Sequence, residues 1–214
     1  MTDKKLVVIV DMQNDFMDFE DSRLPIPGSS TIIEGVNRYI TRELRPADVA
    51  AVVFTQDWHD EEHVEYDPTG NPFPKHCVRD TPGAELCVMD SSVPRPIPVV
   101  GLRKNMFDMW GEDDLTVFPK DSISEDRIAR MFNTPTPSRE LFFEYWKKQG
   151  VTEVEVVGVA LNICVAQAVH GLVNRGFNVT IRQELTKGID TGGGEDDLTI
   201  DGVFRDIRDQ IRVV

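Results

Sequence analysis

The stretch LVVIVD, Leu6–Asp11, sets five consecutive apolar residues against one carboxylate. A run this short, β-branched and apolar on both faces, predicts a strand buried on both sides, as in a parallel sheet. Lys4 and Lys5 precede it, but a secretory h-region would be longer than five residues. Nothing else in the chain approaches the length of a membrane span.

Working outward, similar runs recur at regular intervals. VAAVVFT (Val49–Thr55), PIPVVGL just before Lys104, VEVVGV (Val154–Val159) and NVTIRQ all read as strands. Between them lie helical patterns. In SSTIIEGVNRYITREL, Ile32, Ile33, Val36, Ile40 and Leu44 recur at helical spacing behind Ser/Thr capping candidates. SRELFFEYWKKQG stops at Gly150, CVAQAVHGLVNRG stops at Gly176, and a last helix is expected over Leu198–Arg208 after a TGGGEDD turn. Residues 57–96 are rich in Pro, Gly and charge and form a loop-rich excursion. No internal repeat is present. Strands alternating with helices predict one α/β domain over residues 1–214, with a mainly parallel sheet and crossover connections.

The 214 residues suffice for one full hydrophobic core. A formal charge of −14 argues against nucleic acid or an anionic membrane as partner, since both would be repelled. Cys77, Cys87 and Cys164 form an odd, sparse set without metal-knuckle spacing. That fits a reducing, cytoplasmic location and leaves room for a working thiol.

Open α/β sheets bind ligands outside the carboxyl ends of their strands. Asp11 ends the first predicted strand, Asp57 and His59 follow the second, Lys104 the third, and Cys164 lies just past the fourth. Any one of these has a bland reading: a cap, a surface lysine or a packed thiol. Four together favour an active site built on a thiol nucleophile. Cys164 stands at a helix start, where backbone N–H groups stabilise a thiolate. Asp11 can take its proton and pass it to a leaving amine, while Lys104 stabilises the thiolate. His170, six residues past Cys164, would point to another helix face. Backbone amides around Ala160 and Cys164 can form an oxyanion hole.

QDWHDEEH (Gln56–His63) carries two histidines at i,i+4, yet Asp60 stands where the metalloprotease helix needs Glu. After a strand, Asp57 and His59 can point the same way, and His76 follows the excursion. One carboxylate and two imidazoles would leave open positions on a divalent ion, with zinc, iron and manganese all compatible.

VVIVDMQNDF (Val7–Phe16), TQDWHDEEH (Thr55–His63), FPKHCVRDTPGAE (Phe73–Glu85), Lys104 and VVGVALNICV (Val156–Val165) together resemble the isochorismatase-like cysteine hydrolases, most of all their nicotinamidase/pyrazinamidase branch. The resemblance spans residues 6–190. It implies a six-stranded parallel sheet with helices on both faces and an Asp11–Lys104–Cys164 triad. It also implies a metal site of Asp57, His59 and His76 holding zinc, or else manganese or iron. Val159–Ala160 matches a cis peptide beside the oxyanion hole, and Phe16 and Phe73 match aromatics that sandwich a pyridine ring. His63 matches a histidine near the ion that is not a ligand, and Glu65 reads as a solvated loop carboxylate.

The implied reaction is hydrolysis of nicotinamide, or pyrazinamide, to acid and ammonia through a Cys164 thioester, a step of NAD salvage. A small-molecule amide is then the partner, and a homo-oligomer is plausible. Asn162, Ile163, Glu65-Tyr66 and the NMFDMWGEDDL segment after Lys104 depart from the family pattern. They leave open another small amide, such as a carbamoyl compound, a ureide or maleamate, and, further off, a non-catalytic binding protein.

Overall fold

The computed structural model describes residues 4–63, 73–192, 194 and 198–214. Glu65, Tyr66 and most of the GEDD run lie outside the described residues.

Its centre is one seven-stranded sheet. The strands are β1 (Lys5–Val10), β2 (Val49–Asp57), β3 (Val99–Lys104), β4 (Val117–Pro119), β5 (Glu153–Val159), β6 (Asn178–Lys187) and β7 (Ile211–Val213). Their spatial order is β4-β3-β2-β1-β5-β6-β7. Six strands are parallel; β4 runs antiparallel against β3 at the edge. The expected six parallel strands are therefore present, with an antiparallel seventh added.

Alternation along β1 divides the core. Leu6, Val8 and Val10 face one layer, with α2 (Ser122–Phe132), α3 (Arg139–Lys148) and α4 (Ala166–Asn174). Val7 and Ile9 face the other, against α1 (Ile33–Arg38) and the turn Tyr39–Glu43 that continues it. Asp121 caps α2 by accepting from the Ser124 N–H at 2.7 Å, and Ser138 caps α3 through Leu141 N–H at 3.2 Å.

The expected helix over Leu198–Arg208 is mostly absent: only α5 (Ile200–Val203) forms. Ile200, Phe204, Ile207 and Ile211 are all buried at helical spacing, which imitates an amphipathic helix. Instead the chain unwinds into turns, and Ile211–Val213 pairs with β6.

The chain fills one half of the sheet through β2, β3 and β4, then crosses to β5, β6 and β7. The order thus reverses between β1 and β5, at the point where open α/β sheets place their crevice. Gly158 makes the close passage possible: at φ +119° a Cβ there would lie 2.0 Å from the Val10 carbonyl oxygen.

Candidate active site

β1, β2, β3 and β5 are neighbours and parallel, so their carboxyl ends meet over one patch. Asp11, Asp57, Lys104 and Cys164 converge there, and each is at most 5% exposed. Lys104 Nζ stands 2.8 Å from Asp11 Oδ2 and 3.6 Å from Cys164 Sγ, and it donates a close hydrogen bond to Asp57 Oδ1. A carboxylate oxygen of Asp11, one of Asp57 and the Cys164 sulfur all lie within 4.8 Å of one another. Thr55 Oγ1 donates to Asp11 Oδ1 at 2.6 Å. Asp11 has φ 47°, uncommon for a non-glycine residue and the kind of outlier that functional sites sustain.

One cation therefore serves two buried carboxylates and a thiol. Burial would discharge Lys104, but Asp11 and Asp57 outweigh it and hold the ammonium charged far above its ordinary range. The two carboxylates split. Burial pushes Asp11 up, only partly offset by Lys104, so it is ready to take a proton. Burial acts on Asp57 too, but Lys104 and the imidazoles of His59 and His76 prevail and keep it ionised. Burial, chiefly, pushes the Cys164 thiol well up, so the resting sulfur carries its proton and needs a base.

Asp57 Oδ2 looks the other way, 3.6 Å from His59 Nε2 and 3.8 Å from His76 Nε2. Both imidazoles are fully buried. The three donor atoms lie within 4.8 Å of one another, and no hydrogen bond reaches Asp57 Oδ2 among the described residues. His76 Nδ1 stands 2.7 Å from the Pro74 carbonyl, which places its proton there and leaves Nε2 as the lone-pair side. An ionised carboxylate with imidazoles turned toward it suits a divalent ion. His63 lies outside this cluster, its ring stacked on His59 at 4.5 Å.

A narrow, mostly apolar cleft opens onto the sulfur. Phe16, Phe73, Asp57, His76, Ala160 and Cys164 border it, so every residue proposed for it from sequence reaches it. The Val159–Ala160 peptide is cis, and Cys164 sits in the turn Leu161–Val165 that leads into α4.

Among the described residues, departures from the family pattern lie at this cleft. Asn162 clasps the backbone of Ile189, donating to its carbonyl at 2.8 Å and accepting from its N–H at 3.1 Å; Ile163 and Ile189 both line the wall. The segment after Lys104 is pinned by the buried Arg139, which donates to the carbonyls of Met109 and Glu112. In the same segment Phe107 stands edge-on against Phe73 at 5.5 Å. Sequence reading missed Phe107, Gln13 and Asp15. Gln13 and Asp15 stand at two-residue steps from Asp11, the one signal that could have marked them.

The chain is similar to known proteins along nearly its whole length. The family profile described as Isochorismatase domain matches residues 5–123 and 130–199. A nicotinamidase/pyrazinamidase of Mycobacterium tuberculosis is 26% identical over 189 residues, 86% of this chain and 87% of the relative. A nicotinamidase of Saccharomyces cerevisiae is 25% identical over 213 residues, 86% and 88% of the two chains. Among solved structures, the pyrazinamidase of Pyrococcus horikoshii in complex with zinc superposes with a TM-score of 0.70 at 26% identity, covering 99% of this chain and 98% of that one.

Proposed function

The chain belongs to the isochorismatase family, in its nicotinamidase-like branch of amide hydrolases, and from that premise we propose a metal-dependent cysteine amidohydrolase that converts nicotinamide to nicotinate and ammonia. Pyrazinamide is an alternative substrate. The observation that supports this reading is the shared residue: Asp57 touches Lys104 with one oxygen and faces the His59–His76 pair with the other. A thiol centre and a cation site are thereby built back to back beside one small apolar cleft.

Asp11 takes the Cys164 proton as the sulfur bonds to the amide carbon, and the carbonyl π pair moves onto oxygen. The backbone N–H groups of Ala160 and Cys164 receive that charge. Asp11 then hands the proton to the nitrogen, the C–N bond breaks, and ammonia departs from a Cys164 thioester. Water, losing a proton to Asp11, attacks the thioester carbon. The C–S pair returns to sulfur with that proton, and the acid leaves. Lys104 stays charged throughout and holds Asp11 and the sulfur in register. Asp57, His59 and His76 would hold the divalent ion, zinc or else iron or manganese, which when bound supplies a Lewis-acidic anchor for a ring nitrogen. Phe16 and Phe73 pack on the ring.

The test is a panel of nicotinamide, pyrazinamide, a carbamoyl amino acid, a ureide and maleamate, with ammonia as readout. Release from the two ring amides is expected, abolished by chelator and restored by zinc. No release from either with metal supplied would end this reading, and chelator-insensitive turnover would remove the ion from it.

A further inference from the structure

The register of β1 with β2 ends at Ile9↔Phe54, and the last backbone bond runs from Asp11 N–H to the Thr55 carbonyl. There φ of Asp11 turns positive and β1 leaves the sheet. β2 continues to Asp57, still paired on its other side with Lys104 of β3. The edge of Asp57 that faces β1 has therefore lost its strand, and a buried peptide edge without partners is costly.

The side chain of Gln13 fills that gap. Its Oε1 accepts from the Asp57 N–H at 2.8 Å, and its Nε2 donates to the Asp57 carbonyl at 2.8 Å. One side-chain amide thus satisfies both backbone groups of Asp57 that a continuing parallel strand would have bonded through two successive peptides. A further bond runs from Nε2 to the Ala84 carbonyl at 2.8 Å, tying the same point to the turn Pro82–Ala84. Gln13 is wholly buried and borders neither the cleft nor the sulfur. Two residues on, Asp15 Oδ2 accepts from the Cys77 N–H at 2.7 Å, beside His76.

We propose that Gln13 is a positioning residue: as a surrogate strand it fixes the backbone of Asp57, and so sets how well Asp57, His59 and His76 hold their ion. This rests on the reading of those three residues as ligands. Residues that orient ligands typically alter metal affinity by about 10–100-fold.

The experiment titrates metal-free full-length protein with zinc against a fluorescent zinc chelator, alongside thermal unfolding. Wild type is compared with Gln13→Met, which keeps length and loses the amide, and with Ile128→Ala, a core change in α2 away from the site. Gln13→Met is expected to bind zinc about 10–100-fold more weakly. Ile128→Ala should lower the melting temperature and bind zinc as wild type does. Wild-type affinity in Gln13→Met, or equal weakening in Ile128→Ala, would overturn the inference. Should Gln13→Met fail to fold, Gln13→Glu keeps the acceptor and loses both donors; it should also weaken zinc, and wild-type affinity there would overturn the inference equally. A wild type that takes up no zinc overturns the ligand reading itself.

Discussion

β1 and β5 carry charge at both ends, and the two ends are built differently. At the amino end, Glu155 of β5 gathers Lys5 at 2.7 Å, Arg182 at 3.5 Å and a close hydrogen bond from the Tyr39 hydroxyl. At the carboxyl end, Asp11 and Asp57 share Lys104. The first cluster has two cations around its carboxylate and keeps contact with water: Lys5 is 27% exposed and Arg182 21%. The second is sealed, and its carboxylates outnumber its cation. A carboxylate held by two cations at the edge of solvent is a structural fastening. A sealed cluster short of positive charge is unstable as it stands, so it must take a proton or a cation. The proposed reaction uses both outlets, the proton at Asp11 and the cation at Asp57.

Breaking each end should therefore have unlike consequences. Lys104→Met leaves two buried carboxylates without their ammonium. Loss of amide hydrolysis by about 10³-fold or more is expected, together with about 3–5 kcal/mol of stability, read from kcat and denaturant melts of the same sample. Intact activity would mean that Lys104 only fills space. Asp57→Asn keeps the shape and removes the charge facing the imidazoles. Zinc affinity should fall more than about 100-fold, beyond the range for residues that merely orient ligands, as measured by chelator competition.

The smallest effect belongs to Glu155→Gln. Burial raises the Glu155 pKa, but Lys5, Tyr39 and Arg182 outweigh it and hold the carboxyl below its ordinary range. A folded value below the unfolded one stabilises the protein above the ordinary carboxylate pKa, and this is lost as pH falls through the folded value. Glu155→Gln should thus cost about 1 kcal/mol at neutral pH, modest because its partners are partly screened, with the gap closing under acid. The kcat should not change. A variant that lost activity while remaining folded would erase the contrast between the two ends.

What could be read from sequence divides along similar lines. β1, β2 and β5 are long apolar runs that announce themselves, and their ends carry Asp11, Asp57 and, a few residues on, Cys164. β4 and β7 are three residues each, too short for any period to show. α2 buries only Ser124 and Ile128, so its apolar stripe is faint. Asp57 and His59 are two residues apart and visible as a pair, but His76 joins them only once the excursion folds back. That return depends on backbone pairing, with the His59 N–H donating to the Cys77 carbonyl at 3.1 Å. Gln13 was illegible for a related reason. A polar residue after a strand reads as the start of a loop until the neighbouring strand is seen to run on past it.

The central claim is that the Cys164 sulfur performs amide hydrolysis with Asp11 as its base. Ammonia release from nicotinamide by zinc-loaded wild type and by Cys164→Ala, measured side by side, tests it most directly. Turnover by wild type, with the folded variant slower by about 10⁴-fold or more, is the predicted result. Equal turnover by both proteins, or none by the wild type, would contradict it.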